Sequence, residues 1–213
     1  ATGQAFIMVD NAGENSIMIY AGANNAFTPK QVQEHQEIIE KSDFVIAQFE
    51  SAIDSTIAAF KIAKKAGVKT ILNPAPALEQ VPEELLNVTD MIVPNETETE
   101  ILTGIKITDE ASMRKAAEAL HQLGIEAVII TVGSKGAFYD VNERSGIVPA
   151  FKVKAVDTTA AGDTFIGALS SILEKDFSNL EEAIRYGNKA SSLTVQRFGA
   201  QPSIPYQHEL ADK

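Results

Sequence analysis

Asp157-Thr158-Thr159-Ala160-Ala161-Gly162-Asp163-Thr164-Phe165 is the stretch whose reading decides the fold. Ahead of it, Phe151–Val156 alternates apolar residues with lysines and reads as a strand. Behind it, Phe165, Ile166, Leu169, Ile172 and Leu173 repeat at helical spacing and define one apolar face. Ala160, Ala161 and Gly162 therefore fall where a strand turns into a helix. The first N–H groups of a helix have no partner within it. Small side chains let an anion approach them, and the helix dipole favours negative charge there. Asp163 stands in the same turn, where a substrate hydroxyl could meet it. An anion cradle beside a carboxylate base is what phosphoryl transfer to an alcohol needs. Small residues before a helix also serve as packing devices, and on local sequence alone both readings stand.

The totals narrow the field. A chain of 213 residues has room for one domain with a sizeable core, or a domain with a small appendage. With 45% hydrophobic and 22% charged residues it is an ordinary globular composition. A net charge of −11 argues against nucleic-acid or anionic-membrane partners. An anionic substrate has to be held by local N–H groups and a few cations. The absence of cysteine excludes disulfides and thiolate zinc sites and fits the cytoplasm. No apolar run reaches the length of a membrane span, and no signal peptide is visible. His35, His121 and His208 show no metal-ligand spacing and read as surface or helix residues.

Along the chain, Ala5–Val9 and Ser16–Tyr20 read as strands around the polar turn at Asp10–Asn15. Residues 1–25 are taken as a β-hairpin unit and 26–213 as an α/β domain. Thr28-Pro29 starts a helix expected to reach Lys41. Strands follow at Phe44–Gln48, Val68–Leu72, Met91–Val93 and Ala127–Val132. Helices are expected around Ile53–Ile62, ended by Gly67, then at Glu83–Leu86, after Asn95, and after a Thr108 cap. Phe138–Val141 and Ile147–Val156 add extended segments. Ser178 and Glu181 suggest a capping box for a last helix over Leu180–Val195, followed by a loop-like tail at Arg197–Ser203. Apolar strands alternating with helices predict a doubly wound, mostly parallel sheet with helices on both faces. Ligands of such sheets bind beyond the carboxyl ends of the strands.

Neither G-x-x-x-x-G-K-[ST] nor G-x-G-x-x-G occurs, which removes the P-loop kinases and lowers a dinucleotide-dependent oxidoreductase. Asn95 and Glu98 follow a strand end, and locally they read as a cap with a solvated carboxylate. Thr131-Val132-Gly133-Ser134-Lys135-Gly136 closes the most apolar strand and locally reads as a turn. Asp157 and Thr159 locally read as a polar turn.

These segments resemble, in the same order and over essentially the whole chain, the ribokinase-like (PfkB) carbohydrate kinases. D-T-T-A-A-G-D-T-F is similar to their C-terminal signature, Asn95-x-x-Glu98 to their second signature, and Thr131–Gly136 to their nucleotide-binding T-x-G-x-x-G. Asn73-Pro74-Ala75-Pro76 and Arg197-x-Gly199-Ala200-Gln201-Pro202-Ser203 also look like the family. The resemblance implies transfer of the γ-phosphoryl of ATP to the 5-hydroxyl of D-ribose, or to another sugar or nucleoside. It implies Asp163 as base, and the amides of Ala160, Ala161, Gly162 and Asp163 as the anion hole. It implies Asn95, Thr131, Val132, Gly133, Ser134, Lys135, Gly136 and Asn188 at the nucleotide, and Glu50 with Asp163 at the sugar. Glu98 is expected to organise Mg²⁺ through water. Asp157, Thr159, Thr194, Arg197, Gly199 and Ser203 are expected at a monovalent cation, potassium in the family. The family also carries an N-terminal segment with a G-G-K-G-A-N-like sugar motif and further lid strands, which this sequence does not contain. The hairpin is then part of a substrate lid, and the complete protein a homodimer. A nucleotide-binding remnant without turnover is the alternative.

Overall fold

The structure, a computed structural model, describes residues 1–9 and 15–210, so the turn expected at Asp10–Asn15 lies outside it except for Asn15. The described residues form two compact units, one of residues 1–3, 21–132 and 138–146, the other of 4–9, 15–20, 133–137 and 147–210.

The first unit is built on a sheet whose strands follow in chain order: β3 (Phe44–Ala47), β4 (Lys69–Leu72), β5 (Met91–Ile92), β6 (Ala127–Thr131), β7 (Ala137–Val141) and β8 (Arg144–Val148). Strands β3 to β6 are parallel, with Val45 opposite Thr70, Ile71 opposite Met91 and Met91 opposite Ala127. The connections carry α3 (Ile53–Ala66), α4 (Glu83–Leu86), α5 (Glu96–Thr103) and α6 (Glu110–His121). Leu72, Ile92, Val128 and Ile130 share one apolar cluster with Ile57 and Phe60 of α3, Leu85 of α4, and Met113 and Leu120 of α6. Their alternates Ile71, Met91, Ala127 and Ile129 point the other way and are equally buried. Burial on both faces is why these strands read as continuous apolar runs instead of alternating ones. This is the mostly parallel α/β sheet that the sequence predicts.

Local signals placed the helices with two exceptions in this unit. Thr28 and Gln31 form the expected capping box, but the helix does not run to Lys41. The His35 N–H turns back to Val32 O at 3.1 Å, and the helix divides into α1 (Pro29–Glu34) and α2 (Gln36–Glu40). The cap of α6 is Asp109, not Thr108: Asp109 Oδ1 accepts from Ser112 N at 2.8 Å. Aspartate caps at least as well as threonine, and the Thr108 N–H instead donates to Ser112 Oγ at 2.9 Å. β7 and β8 are joined by Asn142 and Glu143, with φ of 49° and 63°. Two left-handed residues between hydrogen-bonded neighbours make a type I′ hairpin, so this pair is antiparallel.

In the second unit, β1 (Gln4–Val9) and β2 (Asn15–Tyr20) pair antiparallel, with Phe6 opposite Met18. Here too lie α7 (Ala161–Ile172), α8 (Leu180–Thr194) and α9 (Gln207–Leu210). The strand expected at Phe151–Val156 does not form. Val156 N and Asp157 N both donate to Val195 O, at 2.7 and 3.3 Å, so the end of the segment is tied to the end of α8 instead of a ladder. Its lysine alternation imitates a strand without a partner. The box expected at Ser178 and Glu181 gives way to Asn179 as the N-cap. The Asn179 side chain bonds back to Ile172 O at 2.8 Å and accepts from Glu174 N at 2.9 Å, closing the turn between α7 and α8. The tail, expected as loop, contains a 3₁₀ turn at Gln201–Ser203 and then α9.

The predicted face of α7 is the buried one, with Phe165, Ile166, Leu169 and Leu173 all under 9% exposed. It meets α8 where Gly187 faces Phe165. A Cβ on Gly187 would stand 2.9 Å from the Phe165 carbonyl oxygen and 2.8 Å from its ring. Gly187→Ala should therefore push the helices apart and cost about 1–3 kcal/mol, read as a lowered denaturation midpoint. The opposite sign is expected at Glu143. Holding an L-residue left-handed costs roughly 1–2 kcal/mol, of which the greater entropy loss of glycine returns part. Glu143→Gly should raise stability by about 0.5–1 kcal/mol in the same denaturation experiment.

Candidate active site

In the first unit the predicted residues gather at the carboxyl ends of the parallel strands. Glu50 follows β3 and is exposed. Asn95 follows β5 and forms an isolated parallel bridge with Thr131 at the end of β6. Thr131 N donates to Pro94 O at 2.9 Å, which holds the two strand exits side by side. Val132 is 2% exposed within the apolar cluster, so its side chain packs the core and only its backbone is available to a ligand.

Asn95 and Glu98 form a complete capping box at the start of α5. Asn95 Oδ1 accepts from Glu98 N at 2.9 Å, while Glu98 accepts from Asn95 N and Nδ2, both at 2.8 Å. The cap is as the local sequence suggests, but the carboxylate is not solvated: Glu98 is 7% exposed. Burial raises its pKa above the ordinary value, and the Asn95 N–H opposes the shift. Each Glu98 oxygen has accepted one bond of roughly two it can take. The residue therefore fits Mg²⁺ through a water better than by direct ligation.

The second unit holds the phosphate-type elements. Ala160 is left-handed, at φ 61°, and caps α7 without a side-chain bond. Thr164 N closes the first helical bond to Ala160 O at 2.9 Å, and Ala161 N makes only a long bond of 3.3 Å to Thr158 O. Gly162 and Asp163 are exposed, and a Cβ built on Gly162 meets nothing within 4 Å. The turn is thus open where a side chain at Gly162 would stand. α8 supports this turn from behind. Ser191 Oγ donates to Ala161 O at 2.7 Å, and Thr194 Oγ1 donates to Thr164 Oγ1 at 3.1 Å. Sequence reading missed Ser191 and named Thr194 only as a cation ligand, not as a support of this turn; polar residues on the buried face of α8 were the available signal.

Gly133–Lys135 form an exposed 3₁₀ turn. Gly136 closes it at φ 112°, where a Cβ would come 2.1 Å from Val148 O, so only glycine fits. Asn188 is 8% exposed, and its Nδ2 is shared between Val148 O at 3.1 Å and Pro149 O at 3.2 Å. Its amide donor therefore secures the segment against which Gly136 packs.

Of the expected cation ligands, Asp157 sits at the centre. Its Oδ1 accepts from Thr159 N and its Oδ2 from Gly199 N, both at 2.9 Å, which joins the signature to the tail loop. The Thr159 side chain, then the N–H groups of Gly199 and Thr159, lower its pKa below the ordinary value of 3.8. Thr194 O accepts from Arg197 N at 3.0 Å, and Ser203 Oγ bonds to Ala200 O at 2.6 Å. A carboxylate kept ionised beside a loop of main-chain carbonyls is a donor set suited to a cation.

The sign of the Asp157 shift sets a pH dependence. A depressed folded pKa contributes stability that is present above 3.8 and is lost as pH falls through the folded value. Asp157→Asn should cost about 1–3 kcal/mol at neutral pH, because a buried N–H loses its charged acceptor. That gap should begin to close as pH falls below the ordinary 3.8 and vanish once pH has passed the depressed folded value, where the native carboxyl is itself protonated. Denaturation curves of both proteins across pH 2–7 check this, with values on the order of those limits.

The profile of the pfkB family carbohydrate kinases matches residues 1–207. The ribokinase of Staphylococcus aureus is 53% identical over 209 residues, which is 98% of this chain and 68% of that protein. A bifunctional ribokinase/ribose-5-phosphate isomerase A of Fructilactobacillus sanfranciscensis is 54% identical over 98% of this chain and 38% of its own length. The solved structure of Arabidopsis thaliana ribokinase complexed with ribose and ATP superposes with a TM-score of 0.88 at 34% identity, covering 98% of this chain and 68% of that one. The left-handed Ala160, the open turn before α7 and the Asn95–Glu98 box thus lie in a chain that belongs to the pfkB family of carbohydrate kinases.

Proposed function

We propose that the protein transfers the γ-phosphoryl of ATP to the 5-hydroxyl of D-ribose, giving D-ribose 5-phosphate. The observation that carries this reading is the open turn at Ala160–Asp163, with space at Gly162 and an exposed Asp163 beside it. The similarity to proteins named ribokinase, including one solved with ribose and ATP, supports the choice of sugar and nucleotide.

In this reading the amides of Ala160, Ala161, Gly162 and Asp163 take up charge on the phosphoryl oxygens, and Asp163 accepts the hydroxyl proton. Asn95, Thr131 and the backbone of Val132–Gly136 hold the nucleotide, and Glu50 meets the sugar. Asn188 acts there through the segment it secures. Mg²⁺, when bound with the nucleotide, neutralises phosphate charge, and Glu98 orients its water. Asp157, Thr159, Thr194, Arg197, Gly199 and Ser203 hold a monovalent cation, potassium by resemblance. The β1–β2 hairpin serves as part of the substrate lid. Its exposed Phe6, Met8, Met18 and Tyr20 suit pairing with a second copy in the complete protein. Among the described residues no helix is long and apolar enough to cross a membrane, and we place the reaction in the cytoplasm.

Magnitudes favour the amides over the base. One anion-hole donor is worth roughly 3–4 kcal/mol, and the turn offers several. A placed base contributes about 10²–10⁴ in rate, and phosphoryl transfer depends mostly on positioning and charge stabilisation. Asp163→Asn in the full-length polypeptide should lose about 10²–10⁴ of turnover with nucleotide affinity little changed. A coupled ADP-release assay with ribose and calorimetry with ADP check the two halves. Near-normal turnover removes Asp163 from the role. ADP binding without ribose binding supports the narrower reading, a nucleotide-binding segment that does not turn over.

A further inference from the structure

Asn73, the first residue after β4, touches both of its neighbouring strands. Its N–H donates to Ala47 O of β3 at 2.9 Å. Its Nδ2 donates to Val93 O, just beyond β5, at 2.8 Å. Its Oδ1 accepts from Gln48 Nε2, just beyond β3, at 2.9 Å. One half-buried carboxamide therefore spans the exits of three adjacent strands. Further bonds flank this bridge: Phe49 N, beyond β3, donates to Ala75 O, beyond β4, at 2.8 Å, and Thr131 N, at the end of β6, donates to Pro94 O, beyond β5, at 2.9 Å.

Two residues past Gln48 stands Glu50, and two residues past Val93 stands Asn95, the start of the box with Glu98. We infer that Asn73 is a positioning residue: its carboxamide locks the segment carrying Glu50 to the segment carrying Asn95 and Glu98. That these segments receive sugar and nucleotide rests on the function proposed above; the lock itself does not. The carboxamide suits this task because it offers an acceptor to Gln48 and a donor to Val93 O at once. An aspartate of the same shape keeps the acceptor, loses the donor, and sets a carboxylate oxygen against a carbonyl oxygen.

The test is amide hydrogen exchange on the whole chain without ligand, comparing the wild type with Asn73→Asp, followed by Mg·ADP calorimetry. Protection at Phe49 and Thr131 should fall about tenfold or more, the scale of one lost buried hydrogen bond. The amide resonances of Asn95 and Glu98 should shift. Ala127 N, bonded to Asp90 O at 2.9 Å at the opposite end of β5, should keep its protection. Mg·ADP affinity should weaken about tenfold in step. Unchanged protection at Phe49 and Thr131 overturns the inference, as does an equal loss at Ala127, which marks global destabilisation. Should Asn73→Asp fail to fold, Gln48→Met removes the other end of the bridge. It should lower protection at Phe49 and spare Thr131, and no change at Phe49 overturns the inference. A wild-type chain that does not bind Mg·ADP overturns the nucleotide reading alone, because the exchange pattern is read without ligand.

Discussion

The contact of α7 with α8 at Gly187 is what the phosphate-type turn depends on. Only because Gly187 has no side chain can α8 approach the Phe165 backbone closely. That approach brings Ser191 to the Ala161 carbonyl and Thr194 to Thr164. The first turn of α7 is thereby held from its carbonyl side and from its side chains. A turn with left-handed Ala160 at its head would otherwise relax, since an L-residue there costs roughly 1–2 kcal/mol. The packing of two helices thus maintains the strained turn that the proposed function uses as an anion cradle.

Charge explains why, under the proposed function, the cradle has to be made of backbone. The chain carries a net −11, so its long-range field repels nucleotides and sugar phosphates. Attraction must come from groups that act at contact distance. Amides at a helix N-terminus do so without adding cations to the surface. Asp157 follows the same economy. Its carboxylate accepts from the main chain of Thr159 and Gly199, and stays ionised without any arginine or lysine partner.

Legibility in the sequence divides along physical lines. The core strands were plain because burial on both faces leaves uninterrupted apolar runs such as Val128–Ile130. The start of α5 was plain because the box bonds between Asn95 and Glu98 close within four residues. Phe151–Val156 misled because alternation records side-chain pattern and not whether a neighbouring strand exists. Ser178 and Glu181 misled because Asn179 had a better use, bonding back across the turn to Ile172. The supports of the site were least legible. Ser191, Thr194, Gln48 and Asn73 bond to partners that lie from 20 to 30 residues away, and no local pattern encodes such a distance.

Glu98 shows how a local motif becomes something more through its surroundings. A capping box on a free surface would stabilise its helix and leave an ordinary carboxylate. Here the same box is buried, and burial raises the pKa of Glu98 against the Asn95 N–H that favours its ionised form. Folding with Glu98 charged therefore costs free energy as pH rises through the raised value, by the linkage that runs opposite to Asp157. Under the proposed function, a hydrated divalent cation near the box would relieve that cost, because it would restore to the carboxylate some of the solvation that burial removed. A fully surface-exposed glutamate would gain little from such a neighbour. The burial that makes Glu98 a poor contributor to stability at neutral pH is the same property that would make it responsive to a cation bound as proposed, and α5 would be equally well capped on an exposed surface.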